Sequence, residues 1–206
     1  MPLSNGSDSI VDAIGASAGS IIEYFINFGN EIGVFQTVLL DVIFVGVGLL
    51  ISASAVLDLT RMKNPRYQSK ITPASVATRF MIGPATIQLD LFMRAFAGSI
   101  FGDPMVEKAS LSALSYTDKA SSADPTSALL LVIVGFLVFV GWVSALRAMI
   151  AFSRMGNPQE NGYQLFRAGA ARLVAATALC MFQFVMDDII ESFSGQAGMF
   201  SSQLNL

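Results

Sequence analysis

An all-α membrane protein is the fold that this sequence predicts: four transmembrane helices in two tandem repeated hairpins, plus an N-terminal amphipathic helix. Three observations point there. The 206 residues are 53% hydrophobic and only 13% charged, where a soluble domain carries about 25% charged residues, and the mean hydropathy is +0.61. The charges that remain are sorted along the chain by sign. An internal similarity at a spacing of 93 residues divides the apolar stretches into two equivalent pairs.

The first element, residues 1–36, carries Asp8, Asp12, Glu23 and Glu31 and no Lys or Arg. It lacks the basic start, compact apolar core and cleavage site of a secretory signal. Ile10, Ile14, Ala18, Ile21, Phe25, Phe28, Ile32 and Phe35 recur at spacings of three and four, which predicts an amphipathic helix. Ser9 followed by Asp12 resembles a capping box at its start. Such a helix either lies on the outer leaflet or docks on a partner, and with no cation to attract anionic lipid, protein contact is the favoured expectation.

The hairpins follow at residues 37–102 and 127–189. A span needs roughly 20 apolar residues to cross about 30 Å of hydrocarbon. The stretch 127–153 meets this with Arg147 as its single charge, and 38–59 meets it with Asp41 and Asp58 near its ends. The stretch 168–189 has 14 uncharged residues between Arg172 and Asp187. In 80–101 the apolar run is interrupted by Asp90, Arg94 and Pro84. That second span is retained because of the loops. Residues 60–79 hold five bases and no acid, and 154–172 hold three bases against Glu160. Residues 103–125 hold four acids against two lysines, and the chain from Asp187 onward has three acids and no base. Four crossings put every basic segment on the cytoplasmic side and every acidic segment opposite. The expected location is a bacterial inner membrane, multi-pass, with both termini periplasmic, residues 103–126 as a periplasmic connector and 190–206 as a polar tail.

Superposing 41–93 on 134–186 gives 12 identities in 53 ungapped positions. They include Gly48 with Gly141, Ala55 with Ala148, Arg79 with Arg172, Met93 with Met186, and the block R-M-x-N-P at Arg61, Asn64 and Pro65 over Arg154, Asn157 and Pro158. Asn-Pro ends a helix because proline restricts the residue before it and cannot continue the turn. The arginines complement the helix C-terminus and lie at the phosphate level. These six residues are the expected hairpin-turn anchors. Units with an even number of spans enter the bilayer in one orientation, which predicts a pseudo-two-fold axis along its normal.

Chemistry-bearing residues are few. The chain has no His and a single Cys, Cys180, which removes the commonest general base and metal ligand and any disulfide framework. No phosphate loop, activated nucleophile or metal cluster is readable, so neither an enzyme nor a cofactor is expected. The intramembrane polar candidates are Asp90, Arg94 and Arg147. A continuous helix from Arg79 would place Asp90 roughly 16 Å deep, where an acid is a functional candidate by default. Pairing with Arg94, four residues on, is the structural alternative, and Arg147 is within snorkelling reach of the interface marked by Arg154. Gln88 and Gln183 are candidates for bonds between helices. Gly46, Gly48, Gly141 and the Gly98–Gly102 pair suit close helix packing.

The stretches FVGVGLLISASAVLDLTRMKNP, RFMIGPATIQLDLFM and VFVGWVSALRAMIAFSRMGNPQENGYQLFRAGAARLVAATALCMFQFVMDDI resemble the DotE (IcmC)/TraQ-like small inner-membrane proteins of type IVB secretion and conjugal transfer systems. The resemblance spans residues 38–189. It implies a non-catalytic inner-membrane assembly subunit whose partners are the lipid bilayer and other subunits of a secretion or conjugation complex, or further copies of itself. Direct nucleic-acid binding is not expected. No family motif assigns a functional residue, and the long N-terminal region departs from the shorter family members. The alternative is a small ion channel or transporter with Asp90 and Arg147 in the pathway.

Overall fold

The computed structural model describes Tyr24, Val38 and residues 40–64, 71–102 and 125–195. The predicted N-terminal amphipathic helix apart from Tyr24, the connector apart from Pro125 and Thr126, which begin a helix, most of the tail, and Pro65 lie outside these residues. Six helices and no strand occur among the described residues. They are α1 (Leu40–Arg61), α2 (Pro73–Ile87), α3 (Leu89–Phe101), α4 (Pro125–Arg154), α5 (Gly162–Cys180) and α6 (Phe182–Ser194).

Two helices are long and apolar enough to cross a membrane: α1, with 22 residues, and the Val132–Arg154 part of α4, with 23. At 1.5 Å per residue each reaches about 33 Å. Their outward faces remain greasy. Val42, Leu50 and Phe136 are 65%, 72% and 58% exposed, which suits lipid and not water.

The expected second and fourth spans are each broken in two. The stretch expected as one helix at 80–101 ends at Ile87 and restarts at Leu89, with Gln88 at φ −103°, ψ 43°. The stretch expected at 168–189 breaks at Met181, φ −101°, ψ 23°, with a bend of 76° between its halves. Counted as one broken span, that bent pair would be a third crossing. Pro84, four residues before the first break, removes an internal helix donor. The place 93 residues later is Thr177, whose hydroxyl donates to the Leu173 carbonyl at 2.8 Å, a back-bond that bends helices. Sequence periodicity sees neither, because the hydrophobic stripe runs through both breaks.

Other backbone features recur at the same spacing. Gln88 N–H donates to Pro84 O at 3.1 Å and Met181 N–H to Thr177 O at 2.9 Å; Asn64 N–H donates to Arg61 O at 2.9 Å and Asn157 N–H to Arg154 O at 3.0 Å. A Cβ on Gly48 would lie 2.8 Å from the Gly83 carbonyl oxygen, and one on Gly141 would lie 3.0 Å from that of Ala176. In each case a glycine lets the backbones of two antiparallel helices approach closely. Gly46 and Gly102 do not serve packing, since a Cβ at either meets nothing within 4 Å. Gly102 instead ends α3 with a left-handed φ of 75°, the usual helix-stop role.

Helix α4 is the hub. It packs along α5 over its length and also touches α2, α3 and α6. Trp142, the single tryptophan, is fully buried among Phe44 of α1, Leu89 and Met93 of α3, and Cys180 and Met181 near the second break. The Phe44 and Trp142 rings lie 5.7 Å apart in a tilted arrangement. Core side chains therefore come from both sides of the chain's midpoint, and the described helices form one body around α4.

Replacing Gly141 by Leu forces a side chain against Cys180 Sγ and the Ala176 carbonyl and is expected to lower stability by about 1–3 kcal/mol. Gly46→Leu, pointing into open space, is expected to change it by less than about 0.5 kcal/mol. Thermal unfolding in detergent followed by Trp142 fluorescence measures both. Equal effects at the two sites would contradict the packing described.

Candidate functional site

The turn between α4 and α5 is built by local polar groups. There, Asn157 Oδ1 accepts from Gln159 N–H at 3.3 Å while its amide donates to Glu160 Oε1 at 3.4 Å. Asn161 then caps α5 by accepting from Gln164 N–H at 3.3 Å. Arg61 and Arg154 are exposed at the ends of α1 and α4, and Pro158 is exposed in the turn.

This second turn docks on the start of α2. Thr72 Oγ1 donates to the Gly156 carbonyl at 2.7 Å and accepts from Ser75 N–H at 3.2 Å, so one hydroxyl caps α2 and ties it to the turn. A Cβ on Gly156 would lie 2.4 Å from Ser75 Cα, which leaves room for glycine alone. Neither Thr72 nor Gly156 stands out in the sequence, because their contact joins residues 84 apart.

Of the three intramembrane candidates, two come together. Arg94 Nη2 lies 3.4 Å from Asp90 Oδ2, one helical turn away on α3. The pair is incomplete: Asp90 Oδ1 and Arg94 Nε are enclosed without hydrogen-bond partners, while the side chains are still 31% and 42% exposed. Asp90 lies two residues beyond the break at Gln88, so the depth computed for a continuous helix does not apply to it. Leu89 and Met93, flanking it, are fully buried beside Trp142, whose indole N–H also has no acceptor. Arg147 is exposed on α4, and no ion pair joins it to Asp90 among the described residues. Gln88 is exposed at the break, and the Gln183 side chain lies outside the described residues.

A further charge pair, unsuspected from sequence, joins Arg79 of α2 to Asp58 of α1. Both side chains are mostly covered, at 24% and 13% exposure. Its signal in the sequence is a pair of opposite charges near the same end of consecutive antiparallel helices, where each charge by itself marks only the end of a span.

Comparison with known protein families, curated proteins and solved structures finds no match to this chain. Among the described residues no group of His, Cys, Asp and Glu could hold a metal ion, and Cys180 is buried. The polar groups present can carry charge and orient neighbouring helices.

Neutralising Asp90 alone leaves Arg94 beside an apolar core, so Asp90→Asn is expected to cost more stability than the double change Asp90→Asn with Arg94→Gln. The coupling expected from a double-mutant cycle is on the order of 1 kcal/mol. Strictly additive losses would show that the two groups do not interact.

Proposed function

We propose that the chain is a non-catalytic assembly subunit of a bacterial inner-membrane conjugative or type IVB secretion apparatus, built from two duplicated helical hairpins. The observation that carries the assembly reading is the half-covered Asp90–Arg94 pair. A charge pair next to an apolar core, with two atoms enclosed and unbonded and the rest open at the side of the bundle, is costly facing lipid. A neighbouring subunit would cover the exposed remainder of the pair and offer its open donors and acceptors polar partners, as buried polar groups generally require.

The duplication is supported by the recurrence at 93 residues of the two breaks, the two glycine-to-carbonyl contacts and the two turn hydrogen bonds. Such coincidences do not follow from greasy composition, since they fix where backbones bend and touch. On this reading the chain crosses the bilayer four times, its second and fourth crossings broken near the outer side. Both termini are periplasmic, and residues 1–36 supply a docking segment for partners. The resemblance to the DotE (IcmC)/TraQ-like group names the kind of machine. The channel alternative is weakened because Asp90 pairs with Arg94 on its own helix and not with Arg147.

The test is recovery of the tagged full-length protein from mild detergent, with companions identified by mass spectrometry. The native chain is expected to migrate with secretion or conjugation subunits as a large envelope complex. Asp90→Asn/Arg94→Gln, and separately removal of residues 1–36, are expected to release it as a smaller folded species. Ion conductance by the purified chain in liposomes, with no companions recovered, would instead establish the channel reading.

A further inference from the structure

The two hairpins differ in charge where they otherwise correspond, and the difference leaves one of them short of an anion. In the first, Arg79 is neutralised by Asp58. The positions 93 residues later are Arg172 and Ala151, so the arginine is kept and its carboxylate has become a buried methyl group. A second change adds to the imbalance. Ser54, whose hydroxyl bonds to the Ile51 carbonyl, corresponds to Arg147.

Arg147 and Arg172 lie within about one helical turn of each other along the α4–α5 pair. Ser144 Oγ, three residues before Arg147 on α4, is 3.5 Å from the Arg172 carbonyl oxygen. Both arginines are exposed, and among the described residues neither guanidinium has a carboxylate partner. The acids of this hairpin are elsewhere: Glu160 is held by Asn157 in the turn, and Asp187, Asp188 and Glu191 lie on α6, beyond the break at Met181. Arginine does not shed its proton to escape an apolar setting. Two fixed positive charges on adjacent helices, matched by no carboxylate among the described residues, form a site suited to an anion.

We propose that Arg147 and Arg172 bind the phosphate of an anionic phospholipid of the inner leaflet. Guanidinium groups match phosphate oxygens bidentately, and basic sites between helices on the cytoplasmic side suit acidic headgroups. A lipid, and not a free phosphate, is indicated by the surface leading away from the pair. Val140, Phe136 and Ile133 are exposed apolar residues on α4, placed 7, 11 and 14 residues before Arg147. At 3.6 residues per turn they continue its face toward the bilayer centre. Charge at one end and an apolar strip below it fit a headgroup and an acyl chain. The inference rests on α4 and α5 crossing the membrane.

Native mass spectrometry of the full chain, exchanged into detergent with equal phosphatidylglycerol and phosphatidylcholine, measures the selectivity directly. Retention of phosphatidylglycerol over phosphatidylcholine is expected. At about 1 kcal/mol per cation, Arg147→Gln or Arg172→Gln should weaken it about fivefold and the double variant about 25-fold. Lys63→Gln, in the other turn, should change it less than about twofold. Ala151→Asp, which restores the first hairpin's carboxylate, should also abolish the preference; the glutamine variants keep the test decisive if that aspartate disturbs folding. Unchanged phosphatidylglycerol retention in the double variant, or displacement of the lipid by inorganic phosphate, would overturn the proposal. Carbonate extraction of the same variants separates the two failures: protein that stays in the membrane but shows no lipid preference sinks the lipid site alone, whereas release by carbonate sinks the membrane reading beneath it.

Discussion

The close approach of helix backbones at Gly48 and Gly141 is the constraint on which the rest of the architecture depends. In a bilayer, lipid tails are as apolar as leucine, so helices associate through packing and polar contacts and not through the hydrophobic effect. Small residues then decide where helices meet. Gly48 brings α1 onto Gly83 and Ile87 of α2, and Gly141 brings α4 onto Ala176 and Cys180 of α5. With both contacts made, Trp142 is enclosed one residue from Gly141, and Phe44 reaches it from α1 one helical turn before Gly48. Ser75 and Thr72 then meet the second turn at Gly156. Core, turn contact and inter-hairpin packing all follow from helices that could not be so close with a Cβ at these places.

Much of this was legible in the sequence for a physical reason. Transmembrane length and charge sorting are strong, long-range signals, and they gave α1 and α4 within a few residues of their ends. The first residue of each R-M-x-N-P block falls at the end of α1 and of α4, since proline and asparagine act locally. The breaks at Gln88 and Met181 were not legible. A helix break leaves the hydrophobic stripe intact, and the Thr177 back-bond that precedes the second break resembles that of any other buried threonine, such as Thr86. Pro84 was noticed as an interruption, but its consequence falls four residues later.

The candidate site was read in part. Asp90 and Arg94 stood out because charge is costly in an apolar helix, and their i,i+4 spacing foretold their pairing. The Arg79–Asp58 pair was missed because it spans two helices, and pairing across a turn needs a register the sequence does not state. Arg147 was noticed for its depth, yet its meaning emerges only beside Arg172 and in contrast to the first hairpin. The proposed duplication supplies that contrast: where matched hairpins agree they describe what holds the fold, and where they differ they mark what one copy does that the other does not. Asp58 in one and Ala151 in the other is the sharpest such difference.

The central claim, four crossings by two like-oriented hairpins, is tested most directly by oriented cysteine labelling. Cys180→Ala removes the single native thiol, and new cysteines at Lys63, Ser99, Glu160 and Ser192, introduced one at a time, are probed with a membrane-impermeant maleimide in intact spheroplasts and in inverted vesicles. The account predicts that positions 63 and 160 label only in inverted vesicles, and positions 99 and 192 only in spheroplasts. Labelling of position 99 from the same side as position 63 would mean that the broken second helix turns back without crossing, and the four-span hairpin pair would be wrong.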